Sequence, residues 1–148
     1  MLFRSADVVA RTGLLGRWQV LSRKPLVVCD TGHNREGLQY VMRQIESIPR
    51  NRLHMVIGFV SDKDLSSVLP LFPRDAIFYF ARASVPRALD EKLLKAAAMN
   101  YGLAGKSYPS VAGALGAARA AAGADDMIFI GGSTFVVADA LAESGGGQ

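Results

Sequence analysis

The sequence predicts a three-layer α/β/α protein, in which helices cover both faces of a mostly parallel sheet of about six strands. Short apolar runs such as Leu26–Cys29, rich in β-branched residues, are typical of strands buried on both faces. Segments with helical periodicity separate these runs, and the two patterns alternate about five times along the chain. This alternation requires right-handed crossovers between parallel strands, so the predicted fold is Rossmann-like.

The N-terminal part of the chain predicts an edge strand. We interpret residues 1–15, which carry a weak helical pattern, as a linker or the remnant of a helix. Residues 16–21 alternate polar and apolar side chains, which predicts a strand that Pro25 brings to an end. Because this strand precedes the first crossover, we expect it to be an antiparallel edge strand. Leu26–Cys29 follows as the predicted central strand.

Apolar spacing predicts the next elements. One helix ends before Pro49 and places four apolar side chains on a single face, namely Leu38, Val41, Met42 and Ile45. Further strands are predicted at residues 53–59, 76–80, 106–108 and 127–130.

Capping residues mark where the remaining helices begin. Asp64, Asp90 and Ser110 each precede a helical pattern, and a final helix is predicted over residues 134–142. The helix that Asp90 caps is predicted to run through Leu93, Leu94, Ala97 and Tyr101, with Gly102 as its C-terminal stop.

Length and composition indicate a single globular domain. The chain has 148 residues, half of them hydrophobic and one fifth charged, which argues against disorder. We assign residues 16–142 to this domain and interpret residues 143–148, which are rich in glycine, as a disordered tail. The net charge of +4 is spread along the chain, so nucleic-acid binding has little support.

The sequence also limits cofactors and location. No apolar run approaches the length of a membrane span, and we expect a cytoplasmic protein without a membrane partner. Cys29 is the only cysteine, which excludes an internal disulfide and a thiolate metal cluster, and we expect it to be a buried apolar side chain. His54 begins an apolar strand, and we expect it to be structural.

Three polar loops follow predicted buried strands, at residues 30–34, 58–64 and 131–133. If these strands are parallel, the loops emerge at one edge of the sheet, where α/β proteins bind ligands. None of the loops is a GxGxxG or GxxxxGK[ST] phosphate loop, and neither a GxSxG elbow nor an HExxH metal motif occurs. We therefore expect a domain that binds and positions, with no catalytic residue or metal site of its own.

Five residues are candidate ligands, and each has a plain structural alternative. Asp30 at a strand end is suited to ribose hydroxyls, or it is a turn or capping residue. His33 can face an anion, or it bonds to backbone in its loop. Lys63 can hold a carboxylate beside a helix start, or it forms a solvated surface pair with the neighbouring acids. Ser133 can bind an anion at the start of a helix, or it is an ordinary helix cap. Arg17 can contact a phosphate, or it simply lies on an edge strand.

Four motifs together resemble one family. They are Gly16-Arg17-Trp18, the loop Asp30-Thr31-Gly32-His33-Asn34, Gly58 with Asp62-Lys63-Asp64, and Gly132-Ser133. Their order and spacing resemble the C-terminal domain of folylpolyglutamate synthase/dihydrofolate synthase, the folate branch of the Mur ligase superfamily. The family usually has Asp-Gly-Ala-His-Asn in the first loop, so the two small residues between the acid and the histidine differ here.

This resemblance implies an ATP-dependent ligase that phosphorylates a folate or dihydropteroate carboxylate and joins L-glutamate to the acyl phosphate. It implies that Asp30 and Arg17 contact ATP and that His33, Lys63 and Ser133 contact glutamate, with Asn34 and Gly132 supporting the loops. It also implies that Mg²⁺ and most ATP contacts belong to an N-terminal ATPase domain of the same polypeptide. We therefore expect this domain to be inactive alone.

Two other functions stay open at this point. A peptidoglycan-precursor ligase of the same superfamily also joins amino acids to carboxylates, although the Asp-x-x-His-Asn loop and the run Asp62-Lys63-Asp64 favour the folate branch. A non-catalytic nucleotide-binding module of the same fold is the second alternative.

Overall fold

The computed structural model describes residues 18–146, with side chains described up to residue 143. The expectations for residues 1–15, for Gly16 and for Arg17 lie outside this part of the chain. The strands are β1 (Gln19–Arg23), β2 (Leu26–Cys29), β3 (Leu53–Ile57), β4 (Ile77–Ala81), β5 (Gly105–Tyr108) and β6 (Met127–Gly131). The α-helices are α1 (Arg35–Glu46), α2 (Leu65–Val68), α3 (Glu91–Met99), α4 (Val111–Ala121) and α5 (Thr134–Gly146), and a 3₁₀ turn spans Leu69–Leu71.

The described strands form one six-stranded sheet in the order β1-β2-β6-β3-β4-β5. Every neighbouring pair is parallel except β1 and β2, which confirms the predicted antiparallel edge. One prediction was wrong, because Leu26–Cys29 is not the central strand. β1 pairs with the outer side of β2, so β2 is second from the edge, and the last strand, β6, lies between β2 and β3.

Two apolar layers flank the sheet, which confirms the three-layer fold. Side chains of α1 and α3 pack on one face together with Val28, and side chains of α4 and α5 pack on the other with Val27 and Cys29. The alternation of neighbouring β2 residues between the two layers is what a strand covered on both faces requires. Burial also raises the pKa of the Cys29 thiol to about 12, with a further contribution from the charge of Asp30. The thiol is therefore protonated at neutral pH.

The helix positions confirm most of the sequence predictions. All four predicted apolar residues of α1 are buried, and side-chain oxygens of Asp64, Asp90 and Ser110 accept hydrogen bonds from the first turns of α2, α3 and α4. The last helix runs to Gly146 rather than ending at residue 142. The strand predicted over residues 53–59 ends earlier, at Ile57.

One of the four residues that marked α3 in the sequence faces the solvent. Leu94 and Ala98 are buried together with Glu91, whereas Leu93 is 62% exposed. Successive helical residues are turned by about 100°, so the packing of Leu94 and Ala98 on the sheet points Leu93 to the solvent. Ala97 and Tyr101 are partly buried against the same core as Leu94, so the apolar spacing agrees with the packing at three of the four positions.

A buried polar network joins the strands at their amino ends. His54 is fully buried, and its Nε2 lies 2.9 Å from Oδ2 of Asp126 while its Nδ1 lies 2.8 Å from the hydroxyl oxygen of Tyr79. The backbone N–H groups of Arg52 and Gly123 also donate to the Asp126 carboxylate. The side-chain hydrogen bond with His54 is the main cause that holds the pKa of Asp126 well below its usual range. His54 is therefore structural, as predicted.

We expect Asp126→Asn to lower the free energy of unfolding at pH 7 by about 2–4 kcal/mol. The backbone N–H groups of Arg52 and Gly123 donate to the buried carboxylate, and the NH₂ group of an asparagine cannot accept these bonds. The pKa of Asp126 is lower in the folded chain than the unfolded value of about 3.9, so its stabilisation is present above that value and is lost as the pH falls through the folded-state pKa. Urea unfolding at pH 7 and pH 3 should show a smaller difference between wild type and variant at pH 3.

Asp125→Asn is the matched control, because the neighbouring Asp125 side chain is 72% exposed and only faces Lys24 at 3.8 Å. We expect it to change stability by less than about 0.5 kcal/mol. An Asp126→Asn effect equal at both pH values would contradict the ionic role of this carboxylate.

Candidate functional site

The three polar loops meet at one edge of the sheet, as predicted from the parallel strands. The N–H of Asp30 donates to the carbonyl oxygen of Ile130 at 3.1 Å, and the N–H of Gly58 donates to that of Gly131 at 3.3 Å. These two bonds continue the strand pairing past the ends of β2, β6 and β3. The loops therefore begin side by side at the carboxyl ends of three adjacent strands.

Close backbone contact at this edge leaves no room for a side chain at Gly132 or at Gly58. Gly132 has φ +103°, in the region that favours glycine, and a Cβ there would lie 2.4 Å from the carbonyl oxygen of Gly58. A Cβ on Gly58 would in turn lie 2.5 Å from the carbonyl oxygen of Ala81. The expected support role of Gly132 thus has a physical basis, since only glycine lets the loop cross the end of β3.

Asp30 organises the first loop through its carboxylate. The side chain is 4% exposed, with Oδ2 accepting from the N–H of Trp18 at 2.8 Å and Oδ1 from the N–H of Gly32 at 2.7 Å. The second bond is the turn interaction that we named as the alternative to ribose binding. The first bond ties the loop to Trp18, the residue just before β1. The candidate Arg17 lies outside the described residues. Both bonds fix the orientation of the carboxylate.

Lys63 connects the first loop with the second. Its ammonium group donates to the carbonyl oxygen of His33, whose side chain is exposed. Each acid beside Lys63 has another partner, because Asp64 caps α2 and Asp62 lies 3.6 Å from Arg87. The lysine therefore bridges the first and second loops.

Asn34 and Ser133 begin the helices that follow their loops. The side-chain oxygen of Asn34 accepts from the N–H of Gly37 at 2.7 Å and caps α1. Ser133 is 5% exposed, and its Oγ accepts from the N–H of Val136 at 3.2 Å. Its geometry is that of an N-cap, the alternative that we gave for this residue.

A cavity of about 380 Å³ lies between these loops. Eight residues line the cavity. Four of them were predicted from the sequence, namely His33, Lys63, Gly132 and Ser133. The other four were not predicted as site residues: Val60, Arg87, Thr134 and Phe135. Asp30 is close in sequence but is not part of the lining. The cavity combines cationic side chains with a hydroxyl group and the start of α5, a combination suited to an anion.

Arg87 is the charged residue that the sequence interpretation missed. It lies in the connection between β4 and α3, outside the three polar loops that the sequence singled out. Its N-terminal neighbour Pro86 marks a turn, and that local signal does not show which loop the segment contacts. Only the tertiary structure brings the arginine beside Lys63.

A larger cavity, of about 620 Å³, lies at the opposite edge of the sheet, where Lys24, Arg50 and Asp125 surround the amino ends of the strands. We place the candidate site at the carboxyl edge, because parallel α/β sheets bind ligands there and three polar loops converge there. Among residues 18–146 no group of three or more His, Cys, Asp or Glu side chains could hold a metal ion. In the same range no helix is long and apolar enough to cross a membrane.

Comparisons with known proteins agree on one family. Residues 16–134 match the model described as Mur ligase, glutamate ligase domain. The chain is 36% identical over 138 residues to the dihydrofolate synthase/folylpolyglutamate synthase of Escherichia coli. The aligned region covers 91% of this chain and 32% of that protein. It is 32% identical over 126 residues to a probable bifunctional folylpolyglutamate synthase/dihydropteroate synthase of Haloferax volcanii, covering 84% of this chain and 15% of the relative.

Solved structures show the same similarity. E. coli FolC in complex with DHPP and ADP matches with a TM-score of 0.79 and 32% identity, covering 88% of this chain and 31% of that chain. A bifunctional folylpolyglutamate synthase/dihydrofolate synthase with Mn, AMPPNP and L-glutamate bound matches with a TM-score of 0.77 and 26% identity, covering 93% of this chain and 34% of that chain. The chain thus spans about a third or less of the length of these relatives.

We expect Gly132→Ala to lower the free energy of unfolding by about 2–4 kcal/mol, because it combines an unfavourable φ with a 2.4 Å clash against Gly58. Gly116→Ala is the matched control, since Gly116 lies on the exposed side of α4 with nothing within 4 Å of an added Cβ. That change should raise stability by about 0.5–1 kcal/mol through helix propensity. Urea unfolding of both variants tests the close contact, and equal effects of the two substitutions would refute it.

Proposed function

Because the chain belongs to the Mur ligase, glutamate ligase domain family, we propose that it is the amino-acid-binding domain of an ATP-dependent folate ligase. Its task in this proposal is to bind L-glutamate and to position its amine against an activated carboxyl group of a folate or dihydropteroate. The observation that carries the proposal is the cavity at the carboxyl edge, which places Lys63, His33 and Ser133 around one space of about 380 Å³.

The proposed reaction has two steps. The carboxylate of the folate or dihydropteroate attacks the γ-phosphorus of ATP, which forms an acyl phosphate and releases ADP. The neutral amine of glutamate then attacks the acyl carbon, the amide bond forms, and inorganic phosphate and a proton leave. A domain that holds glutamate against the acyl phosphate contributes proximity and excludes water, and both favour aminolysis over hydrolysis.

The glutamate contacts follow from the lining of the cavity. Lys63 and the start of α5 at Ser133 provide a cation and a helix N-terminus, which both stabilise a carboxylate. The exposed imidazole of His33 lies in the same lining and adds a donor. In support of glutamate as the ligand, a relative of this chain has been solved with L-glutamate bound.

The nucleotide contacts are proposed on the neighbouring part of the edge. We assign the ATP ribose to Asp30, whose carboxylate is oriented by the N–H groups of Trp18 and Gly32, and the phosphates to Arg17. The described residues offer no group of metal ligands, so they do not fit a site for Mg²⁺. We propose that Mg²⁺ and the triphosphate are bound by an ATPase domain joined to this one, in agreement with the lack of a phosphate loop in the sequence. The need for ATP supports a cytoplasmic location.

The folate branch is favoured over the two alternatives. Three of the relatives described above carry folylpolyglutamate synthase in their names, and none of the four is named as a peptidoglycan-precursor ligase. A purely regulatory nucleotide-binding module would not need a cationic cavity in addition to a ribose contact.

We expect the 148-residue chain alone to show no ATP-dependent ligation of L-glutamate, and a polypeptide that joins it to its ATPase domain to release ADP in proportion to amide formed. Coupled ADP release and chromatography of the folate product measure both quantities. Ligation by the chain alone, or no glutamate addition by the joined polypeptide, would contradict the proposal.

His33→Ala in the joined polypeptide should raise the KM for L-glutamate about tenfold, because one hydrogen-bond donor is lost. The KM for ATP should stay within about twofold, and the bond from Lys63 is retained because it is made to the backbone carbonyl of residue 33. Asp30→Asn should do the opposite and act mainly on the KM for ATP. Initial rates with each substrate varied separately would show the split, and equal effects of both variants on both KM values would argue against the assignment.

A further inference from the structure

Arg87 lines the proposed glutamate cavity but has no role in the function described so far. It shares the cavity with Lys63 and His33, and it lies on a different segment of the chain, between β4 and α3. The cavity therefore contains a second cationic side chain, set apart from the first in the sequence. A ligand with two anionic groups would use both.

The backbone around Arg87 is held firmly in place. Its carbonyl oxygen accepts from the N–H of Ser61 at 2.7 Å, and the N–H of Leu89 donates to the carbonyl oxygen of Phe59 at 2.8 Å. An antiparallel bridge between Val60 and Ala88 lies between these two bonds. The connection is thus paired with the loop that contains Lys63, and this pairing sets the position of Arg87.

A second attachment fixes the same connection to α5. Ser84 donates its N–H and its hydroxyl to the carboxylate of Asp139, at 2.8 Å and 2.9 Å. The segment is therefore attached on both sides of the cavity, to the second loop and to the helix that follows the third. The exposed guanidinium of Arg87 extends from a fixed backbone, which is the arrangement a recognition residue requires.

The guanidinium has a weak partner in this structure. Nη2 of Arg87 lies 3.6 Å from Oδ2 of Asp62. The arginine side chain is 62% exposed and the aspartate side chain 73%. Exposed ion pairs of this kind are worth little, so a carboxylate that binds an arginine in the two-pronged geometry can replace the aspartate. Asp62 therefore keeps Arg87 near the cavity without blocking it.

We propose that Arg87 is a specificity-determining residue that binds the side-chain carboxylate of the acceptor amino acid. Lys63 and the start of α5 then bind its α-carboxylate. This inference rests on the proposed function, and it explains how an acidic amino acid is distinguished from its neutral amide, which has the same shape but lacks the second charge. Glutamine is selected against because its neutral amide offers the arginine no charged, two-pronged partner.

The test uses Arg87→Ala and Arg87→Lys in the polypeptide that joins this domain to its ATPase domain. For Arg87→Ala we expect the KM for L-glutamate to rise about 10- to 100-fold, with kcat and the KM for ATP within about twofold of wild type. The kcat/KM for L-glutamine should stay near its wild-type value, so the preference for glutamate falls. Arg87→Lys should restore part of the glutamate affinity, because the charge returns without the two-pronged geometry.

Arg82→Ala is the matched control. Arg82 lies on the same connection, faces Asp90 at 3.7 Å and is not part of the cavity lining. We expect its KM for glutamate to stay within about twofold of wild type. A glutamate KM unchanged by Arg87→Ala, or equal losses for glutamate and glutamine, would overturn the role of Arg87 and leave the proposed function intact. A wild-type polypeptide that ligates no glutamate would overturn both.

Asp62→Asn provides an independent check. Removing the competing carboxylate should lower the KM for glutamate several-fold when Arg87 is present and should have no effect in the Arg87→Ala background. The same shift in both backgrounds would show that Asp62 acts on glutamate directly and would overturn its role as the partner of Arg87.

Discussion

The close contact between Gly132 and Gly58 is the constraint on which the site depends. A Cβ at Gly132 would lie 2.4 Å from the carbonyl oxygen of Gly58, so the third loop can cross the end of β3 only as bare backbone. This crossing places Ser133 and the start of α5 beside the loop that holds Lys63. The parallel pairing of β2, β6 and β3 brings the carboxyl ends of these strands together. Because Gly132 has no side chain, the third loop can contact the backbone of Gly58.

The residues of the site combine structural and binding tasks. Asp30 fixes two backbone amides with the carboxylate that we assign to ribose, and Lys63 bridges two loops with the ammonium that we assign to glutamate. Ser133 caps α5 with its hydroxyl. For Asp30 and Ser133 the plain alternative considered in the sequence describes a contact in the structure, whereas Lys63 bridges two loops and does not pair with the neighbouring acids. Such contacts orient the groups, so they support the binding roles as well as the structural ones.

The sequence predicted those features that depend on local chemistry. Capping by Asp64 and Asp90 and burial of one face of α1 follow from patterns within a few residues, and parallel strands bring the three loops to one edge. The features that it missed depend on contacts distant in sequence. These features are the insertion of β6 beside β2, the exposure of Leu93 on α3 and the position of Arg87. They are set by packing across the sheet and by strand-like pairing between connections.

The most direct test of the central claim is a crystal structure of the polypeptide that joins this domain to its ATPase domain, solved with a non-hydrolysable ATP analogue and L-glutamate. We predict glutamate in the cavity between the three loops, with its α-carboxylate within hydrogen-bond distance of Lys63 or Ser133 and its side-chain carboxylate on Arg87. Glutamate bound elsewhere, held by the ATPase domain alone and with this cavity unaltered, would contradict the account.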